Sequence, residues 1–189
     1  MSRAAFLDRD GVINRKPPEG QYVTHWEEMH FLPDVARAIA LLNRADFRVI
    51  VVTNQRCAAK GLVSVAALEA IHQRMCAELA ASGAKIDEIY YCPHEKHPPC
   101  SCRKPAAGML LAAARAHNID LTASWMIGDS EIDVEAGRNA GCRTALVLTD
   151  DEGATLDCDV VGSSLLETVD KLLSRDEMPS IHRLDSVVY

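Results

Sequence analysis

Two carboxylates one residue apart, Asp8 and Asp10, close the short apolar run Ala4-Ala5-Phe6-Leu7, and Gly11 follows them. The run reads as a buried strand that stops at the acids. Acids held this close repel each other and lose hydration, which is unfavourable unless a cation or a shared proton compensates. A plain strand-to-turn junction accounts for Asp10-Gly11 but leaves Asp8 unexplained. Three further clusters sit in comparable places. Thr53-Asn54-Gln55 ends the β-branched run Arg48-Val49-Ile50-Val51-Val52, and Gly128-Asp129 ends Ser124-Trp125-Met126-Ile127, with Asp133 one helical turn on. Arg103-Lys104 precede Pro105, a residue suited to the first turn of a helix, where backbone amides favour an anion. Singly, Thr53 reads as a strand-end cap and Lys104 as a solvated cation. Together, the clusters fall on the one edge of a parallel sheet where ligands bind.

A second constellation is Cys92-x-His94 and Cys100-x-Cys102, separated by a polar loop containing Pro98-Pro99. Two ligand pairs around such a loop match a Cys3His structural zinc site. The alternatives are free thiols, or His97 in place of His94. A loop with so little apolar side chain to bury needs something to pin it. Arg103-Lys104 follow the last cysteine directly, so zinc there would position an anion-binding cation.

These residues need elements to hold them. Pro33 suits a first helical turn, and Val35, Ile39 and Leu42 follow at helical spacing, ending near Ala45-Asp46. Ser64 reads as an N-cap for a helix with Leu68, Ile71, Met75 and Leu79 on one face. Glu88–Tyr91 is a short strand, and the alanine-rich stretch from Pro105 to about His117 is a helix. Ile132 to Ala140 is another, stopped by Gly141. Thr144–Leu148 reads as the fifth strand, Asp159-Val160-Val161 as a sixth, and Leu165, Leu166, Val169 and Leu172 as the face of a last helix. The proline-broken segment from Arg15 to Leu32 reads as a loop over the sheet edge. Strands alternating with helices predict an α/β fold, a three-layer α/β/α sandwich around a mainly parallel sheet. The expected organisation is one domain over 1–174 and a tail over 175–189. No insertion is long enough for a large cap domain, so loops must roof the site.

The bulk properties narrow the partners. With 27 acidic against 20 basic residues, the net charge of −7 disfavours nucleic acid and anionic membrane surfaces. A phosphate-bearing ligand would therefore need a local cation or a metal. No apolar stretch is long enough to span a bilayer and no leader precedes the first strand, so the expected compartment is the cytoplasm, with reduced thiols. Of the seven cysteines, Cys57, Cys76, Cys142 and Cys158 read as packing residues. His25, His30 and His72 show no partner in the sequence, so a surface or hydrogen-bonded histidine is expected at each. A monomer is expected.

In order, Asp8-Arg9-Asp10-Gly11, Thr53, Lys104, and Gly128-Asp129 with Asp133 resemble the four motifs of the haloacid dehalogenase-like phosphohydrolases. That resemblance implies a Rossmann-like sheet and a phosphatase. Asp8 would be the nucleophile, forming an aspartyl-phosphate, and Asp10 the acid and base. Asp8, the backbone carbonyl of Asp10, and Asp129 would hold Mg²⁺, with Lys104 and Thr53 on the transferring group and Asp133 orienting the metal or Lys104. Asp-Arg-Asp-Gly-Val-Ile-Asn, Thr-Asn-Gln, Cys-Pro-His and Cys-x-Cys-Arg-Lys-Pro further resemble the heptose bisphosphate phosphatases. Those enzymes remove the 7-phosphate of D-glycero-D-manno-heptose 1,7-bisphosphate in building lipopolysaccharide or nucleotide-activated heptose. The zinc loop is shared with histidinol-phosphate phosphatases, which, with other small sugar-phosphate phosphatases, are the alternative implied. By the same resemblance Asn14, Asn54, Gln55 and Arg103 contact the sugar or its distal phosphate, with Lys16 and Tyr22 as weaker candidates. Two departures fall near that end: Arg56-Cys57-Ala58-Ala59-Lys60-Gly61 replaces Ser-Gly-x-x-Arg-Gly, and Ser130 stands where a basic residue is common. Arg56 is expected to replace a distal-phosphate contact. A zinc-stabilised interaction module without activity is disfavoured by the intact set of four motifs.

Overall fold

The β-branched and apolar runs form a six-stranded parallel sheet in the order β3-β2-β1-β4-β5-β6. In this computed structural model the described residues are 1–148 and 157–177. The strands are β1 (Arg3–Leu7), β2 (Phe47–Asn54), β3 (Glu88–Cys92), β4 (Trp125–Gly128), β5 (Arg143–Val147) and β6 (Val160–Gly162). The helices between and after them are α1 (Val35–Arg44), α2 (Val65–Ala81), α3 (Gly108–His117), α4 (Glu131–Ala140) and α5 (Leu165–Glu177). Chain order reverses between β1 and β4, which opens a crevice beyond their carboxyl ends.

Alternation along each strand builds two cores, because successive side chains point to opposite faces. Ala5, Leu7, Val49, Val51 and Ile127 pack with Ile39 and Leu42 of α1, Met75 of α2 and Leu172 of α5. Ala4, Phe6, Ile50, Val52 and Met126 pack with Leu110 and Ala113 of α3 and Ala136 of α4. The expected three-layer arrangement is thus the one observed, and burial of each large side chain contributes about 1.5–3 kcal/mol. Ser64 caps α2, its hydroxyl accepting from the Ala67 amide at 3.1 Å. Gly141 ends α4 in the left-handed region, at φ 83°.

Four expectations need correction. Segment 15–32 is more than an edge loop: Val23 and Met29 are buried in the core, and Arg74 of α2 stacks on Trp26 at 4.6 Å. Two apolar side chains spaced six residues apart sufficed to anchor it, without any periodicity. Helix α1 starts at Val35, after Asp34 in a left-handed conformation, so Pro33 lies before the first turn. Helix α3 starts at Gly108 rather than Pro105, because the chain first folds back and the Gly108 amide donates to the Ser101 carbonyl at 3.0 Å. A Cβ on Gly108 would stand 2.1 Å from that carbonyl oxygen. Finally, α5 runs to Glu177, past the expected tail boundary, while positions 178–189 lie outside the described residues. Among the described residues no helix is long and apolar enough to cross a membrane.

Candidate active site

Register decides the site. Leu7 pairs with Val51 on one side and Ile127 on the other, so Asp8 follows β1 at the level of Val52 and Gly128, with Thr53 and Asp129 one residue further along their adjacent chains. The Asp8 amide continues the ladder to the Ile127 carbonyl at 2.9 Å. The chain then turns through Gly11, whose φ is +90°. A Cβ there would stand 2.1 Å from Oδ2 of Asp129, so only glycine lets that carboxylate lie over the loop. Gly128 is equally tight, since a Cβ on it would meet the Cβ of Asp133 at 2.0 Å.

Oxygens of Asp8, Asp129 and Asp133 lie within 4.8 Å of one another. Burial, assisted by Asp133 and Asp10 and opposed by Lys104, pushes the Asp8 carboxyl up to about 7. Burial also raises Asp129, against the pull of Lys16, whose Nζ stands 2.6 Å from Oδ2. Buried Lys104 places Nζ 2.9 Å from Oδ1 of Asp8 and 2.6 Å from Oδ1 of Asp133. Burial alone would lower this lysine, but Asp133 and Asp8 outweigh it and keep the ammonium charged. The two contacts hold the ammonium at the crevice between Asp8 and Asp133. Asp133 in turn accepts from the Ser130 hydroxyl at 2.5 Å.

Asp10 is caged. The guanidinium of Arg9 bonds it through Nε and Nη2 at 2.9–3.2 Å, Nδ2 of Asn14 at 2.9 Å and Nε2 of Gln55 at 3.1 Å. Burial would raise its carboxyl, but Arg9 and these bonds together hold it below the usual range. Gln55 also donates to Oγ1 of Thr53 at 2.9 Å, tying the second strand to the first.

The expected substrate contacts separate into two groups. Asn14 and Gln55 are almost fully buried, and their amides hold Asp10, so they have no surface to present to a sugar. Asn54 donates to the Lys104 carbonyl and accepts from its amide, both at 3.1 Å, so it positions the lysine. Arg56 is half-buried, its Nε donating to the Tyr22 hydroxyl at 3.1 Å and lying 3.7 Å from Glu95. Lys60 sits over the Tyr22 ring at 5.2 Å. Arg103 is half-buried, its Nη1 donating to the His94 carbonyl at 3.4 Å.

The cysteine loop closes on itself. Donor atoms of Cys92, His94, Cys100 and Cys102 all lie within 4.8 Å of one another, with nearest separations of 3.2–3.6 Å. A tetrahedral zinc with ordinary bond lengths spaces its ligands by roughly 3.5–3.8 Å. His94 is the histidine in the cluster; His97 is not part of it. Against its burial, bonds from Cys102 and the Arg103 amide hold the Cys100 thiol down to about 6, while burial pushes Cys92 up and, with the neighbouring thiols, Cys102 up to about 12. All seven cysteines are free thiols.

Behind the site lie Arg9, to which the sequence assigned no role, and His72, which is the buried, hydrogen-bonded kind of histidine rather than a surface one. Arg9 is fully buried, and its Nη1 is 3.1 Å from Nε2 of His72, itself 4% exposed. Burial and the Arg9 charge push His72 down to about 4. The available signal was an arginine between two aspartates at the end of a buried strand, whose donors must find acceptors somewhere.

Comparison with known proteins agrees with this geometry. The family model for hydrolase-like (HAD-hydrolase-like) proteins matches residues 101–165. A protein from Rhodopseudomonas palustris named D-glycero-beta-D-manno-heptose-1,7-bisphosphate 7-phosphatase is 42% identical over 145 residues, 73% of this chain and 79% of the relative. One of the same name from Pseudomonas putida is 41% identical over 161 residues, 85% and 91% of the two chains. The crystal structure of D,D-heptose 1,7-bisphosphate phosphatase from B. bronchiseptica, complexed with magnesium and phosphate, superposes with a TM-score of 0.83 at 36% identity, covering 92% of this chain and 99% of that one. Strands, catalytic-edge carboxylates and sequence all lead to one assignment: the chain belongs to the haloacid dehalogenase-like phosphatases, in the branch of the heptose bisphosphate phosphatases.

Proposed function

We propose that this phosphatase removes the 7-phosphate of D-glycero-D-manno-heptose 1,7-bisphosphate through an aspartyl-phosphate on Asp8. The observation that carries the reading is the gathering of Asp8, Asp129 and Lys104 at the β1/β4 crevice, with Lys104 ion-paired to the proposed nucleophile. Uncatalysed hydrolysis of phosphate monoesters is among the slowest reactions known, because a dianion repels its attacker. A carboxylate oxygen of Asp8 attacks phosphorus, the bond to the leaving oxygen breaks, and Asp10 gives that oxygen a proton. Asp10 then takes a proton from the water that attacks phosphorus, releasing phosphate and free Asp8. Approach of a doubly charged ester beside Asp10 favours its protonated form, offsetting the hold of Arg9. Lys104 and Thr53 bind the oxygens of the transferring group.

The hard oxygens of Asp8 and Asp129, with the backbone carbonyl of Asp10, suit magnesium, and the relative solved with magnesium and phosphate supports that choice. When bound, the ion supplies positive charge to the phosphoryl oxygens. The Cys3His cluster suits a structural zinc that fixes the loop carrying Arg103 and Lys104. Arg56 and Lys60, both packed against Tyr22, are the cations on which a distal phosphate would rest.

The test is phosphate release, with Mg²⁺, from both anomers of the heptose bisphosphate, from histidinol phosphate and from other sugar phosphates. The heptose bisphosphate is expected to give the highest kcat/KM, and Asp8→Asn to lose at least about 10³-fold in kcat. Faster turnover of histidinol phosphate would replace the substrate assignment, and release that survives Asp8→Asn would sink the covalent mechanism.

A further inference from the structure

Arg9 presents the least explained burial in the molecule: a guanidinium with no exposed surface, lying between the catalytic loop and α2. A desolvated cation is stable only when its donors are answered. Asp10 answers Nε and Nη2, leaving Nη1, whose side-chain partner is Nε2 of His72 at 3.1 Å. Arginine has donors only, so this ring nitrogen carries the lone pair and the proton sits on Nδ1. His72 is itself held. It stands on α2 between the core residues Ile71 and Met75, and its ring meets Tyr91 edge-on at 5.5 Å.

We propose that His72 is a positioning residue for Asp10, its neutral imidazole holding the Arg9 fork so that the fork fixes the plane of the Asp10 carboxylate. The planar guanidinium transmits the orientation because its three bonds to the carboxylate, from Nε and Nη2, are set by one rigid fork. Arg9 follows Asp8 and precedes Asp10 in the chain, so backbone position alone leaves its long side chain several rotamers. The contact from α2 selects one of them. A second helix, remote in sequence, thereby takes part in aiming the proton donor. The inference rests on the assignment of Asp10 to leaving-group protonation.

Phenyl phosphate and p-nitrophenyl phosphate provide the test, since they share a shape and differ in how much the leaving oxygen needs a proton. Neither depends on which sugar is the natural substrate. His72→Leu, which offers no acceptor, is expected to lower kcat for phenyl phosphate about tenfold more than for p-nitrophenyl phosphate, with KM for both nearly unchanged. His72→Gln, which restores an acceptor, is expected to recover most of that loss. The ratio of the two rates in one preparation is independent of how much of it is folded, so a poorly folding variant still gives an answer. Asp10→Asn serves as the reference and is expected to show the same discrimination more strongly. Equal losses on both esters in His72→Leu, or a His72→Gln indistinguishable from it, overturn the positioning role. Absence of discrimination in Asp10→Asn overturns the assignment of Asp10 and this inference with it. A wild type inactive on every phosphate ester overturns the phosphatase reading itself.

Discussion

Arg9 and Gly11 do what their neighbours Asp8 and Asp10 cannot do alone. Gly11 lets Asp129 lie directly over the loop, and Arg9 keeps Asp10 charged and oriented although burial opposes it. Behind them, neutral His72 ties local protonation to stability. Its pKa falls from the ordinary 6.5 to about 4 through burial and the Arg9 charge. Between those values the unfolded chain binds more protons, so stability rises with pH there. The contribution is complete above about 6.5 and is lost as pH falls through 4. From pH 7.5 to pH 5 the wild type is expected to lose about 2 kcal/mol more than His72→Gln, measured by urea unfolding at both values. Parallel pH curves for the two proteins would show that His72 is not buried neutral.

At the scale of elements, the loop between β3 and α3 is the one whose geometry the sheet does not supply. It begins in β3 at Cys92, returns through Cys100 and Cys102, and delivers Lys104 two residues later, where Asn54 clamps both the backbone N–H and the carbonyl of the lysine. The clamp fixes the backbone from one side and the cysteine cluster from the other. Elemental analysis is expected to find one zinc per chain. Its removal by a chelator is expected to lower kcat at saturating Mg²⁺ at least about tenfold, because a displacement of about 1 Å in a positioning group costs this much or more. Full activity in zinc-free protein would detach the loop from catalysis.

For the whole molecule, three buried or half-buried carboxylates share one crevice, ion-paired among the described residues with Lys104 and Lys16. Such a site gains from a divalent cation. Mg²⁺ at about a hundredfold above its Kd is expected to stabilise the fold by about 2.7 kcal/mol. For a chain of this size that is a rise in Tm of roughly 5–10 °C, and it is expected to vanish in Asp129→Ala. Protons compete with the ion for Asp8, whose carboxyl burial pushes up to about 7, so the rise is expected to shrink as pH falls below that value. A Tm that ignores Mg²⁺ at pH 8 would contradict the metal assignment.

The amino-acid sequence by itself determined the order of elements and the edge at which the chemistry gathers. Apolar runs of strand length each ended at a polar cluster, and a parallel sheet puts such ends together whatever the intervening chain does. It also marked the cysteine loop, because close ligand pairs flank a stretch with little else to hold it, while the fold decided for His94 over His97. Tertiary structure alone decided which polar residues face the crevice and which support those that do. Asn14, Asn54 and Gln55 follow the motif residues in sequence yet turn inward to bond Asp10, Lys104 and Thr53. Arg9 and His72 stand 63 residues apart and meet only when α2 packs beneath the catalytic loop. The difference is physical: strand and helix periodicity are local properties of the chain, whereas the partner of a buried polar atom is chosen by whatever the fold brings within 3 Å of it.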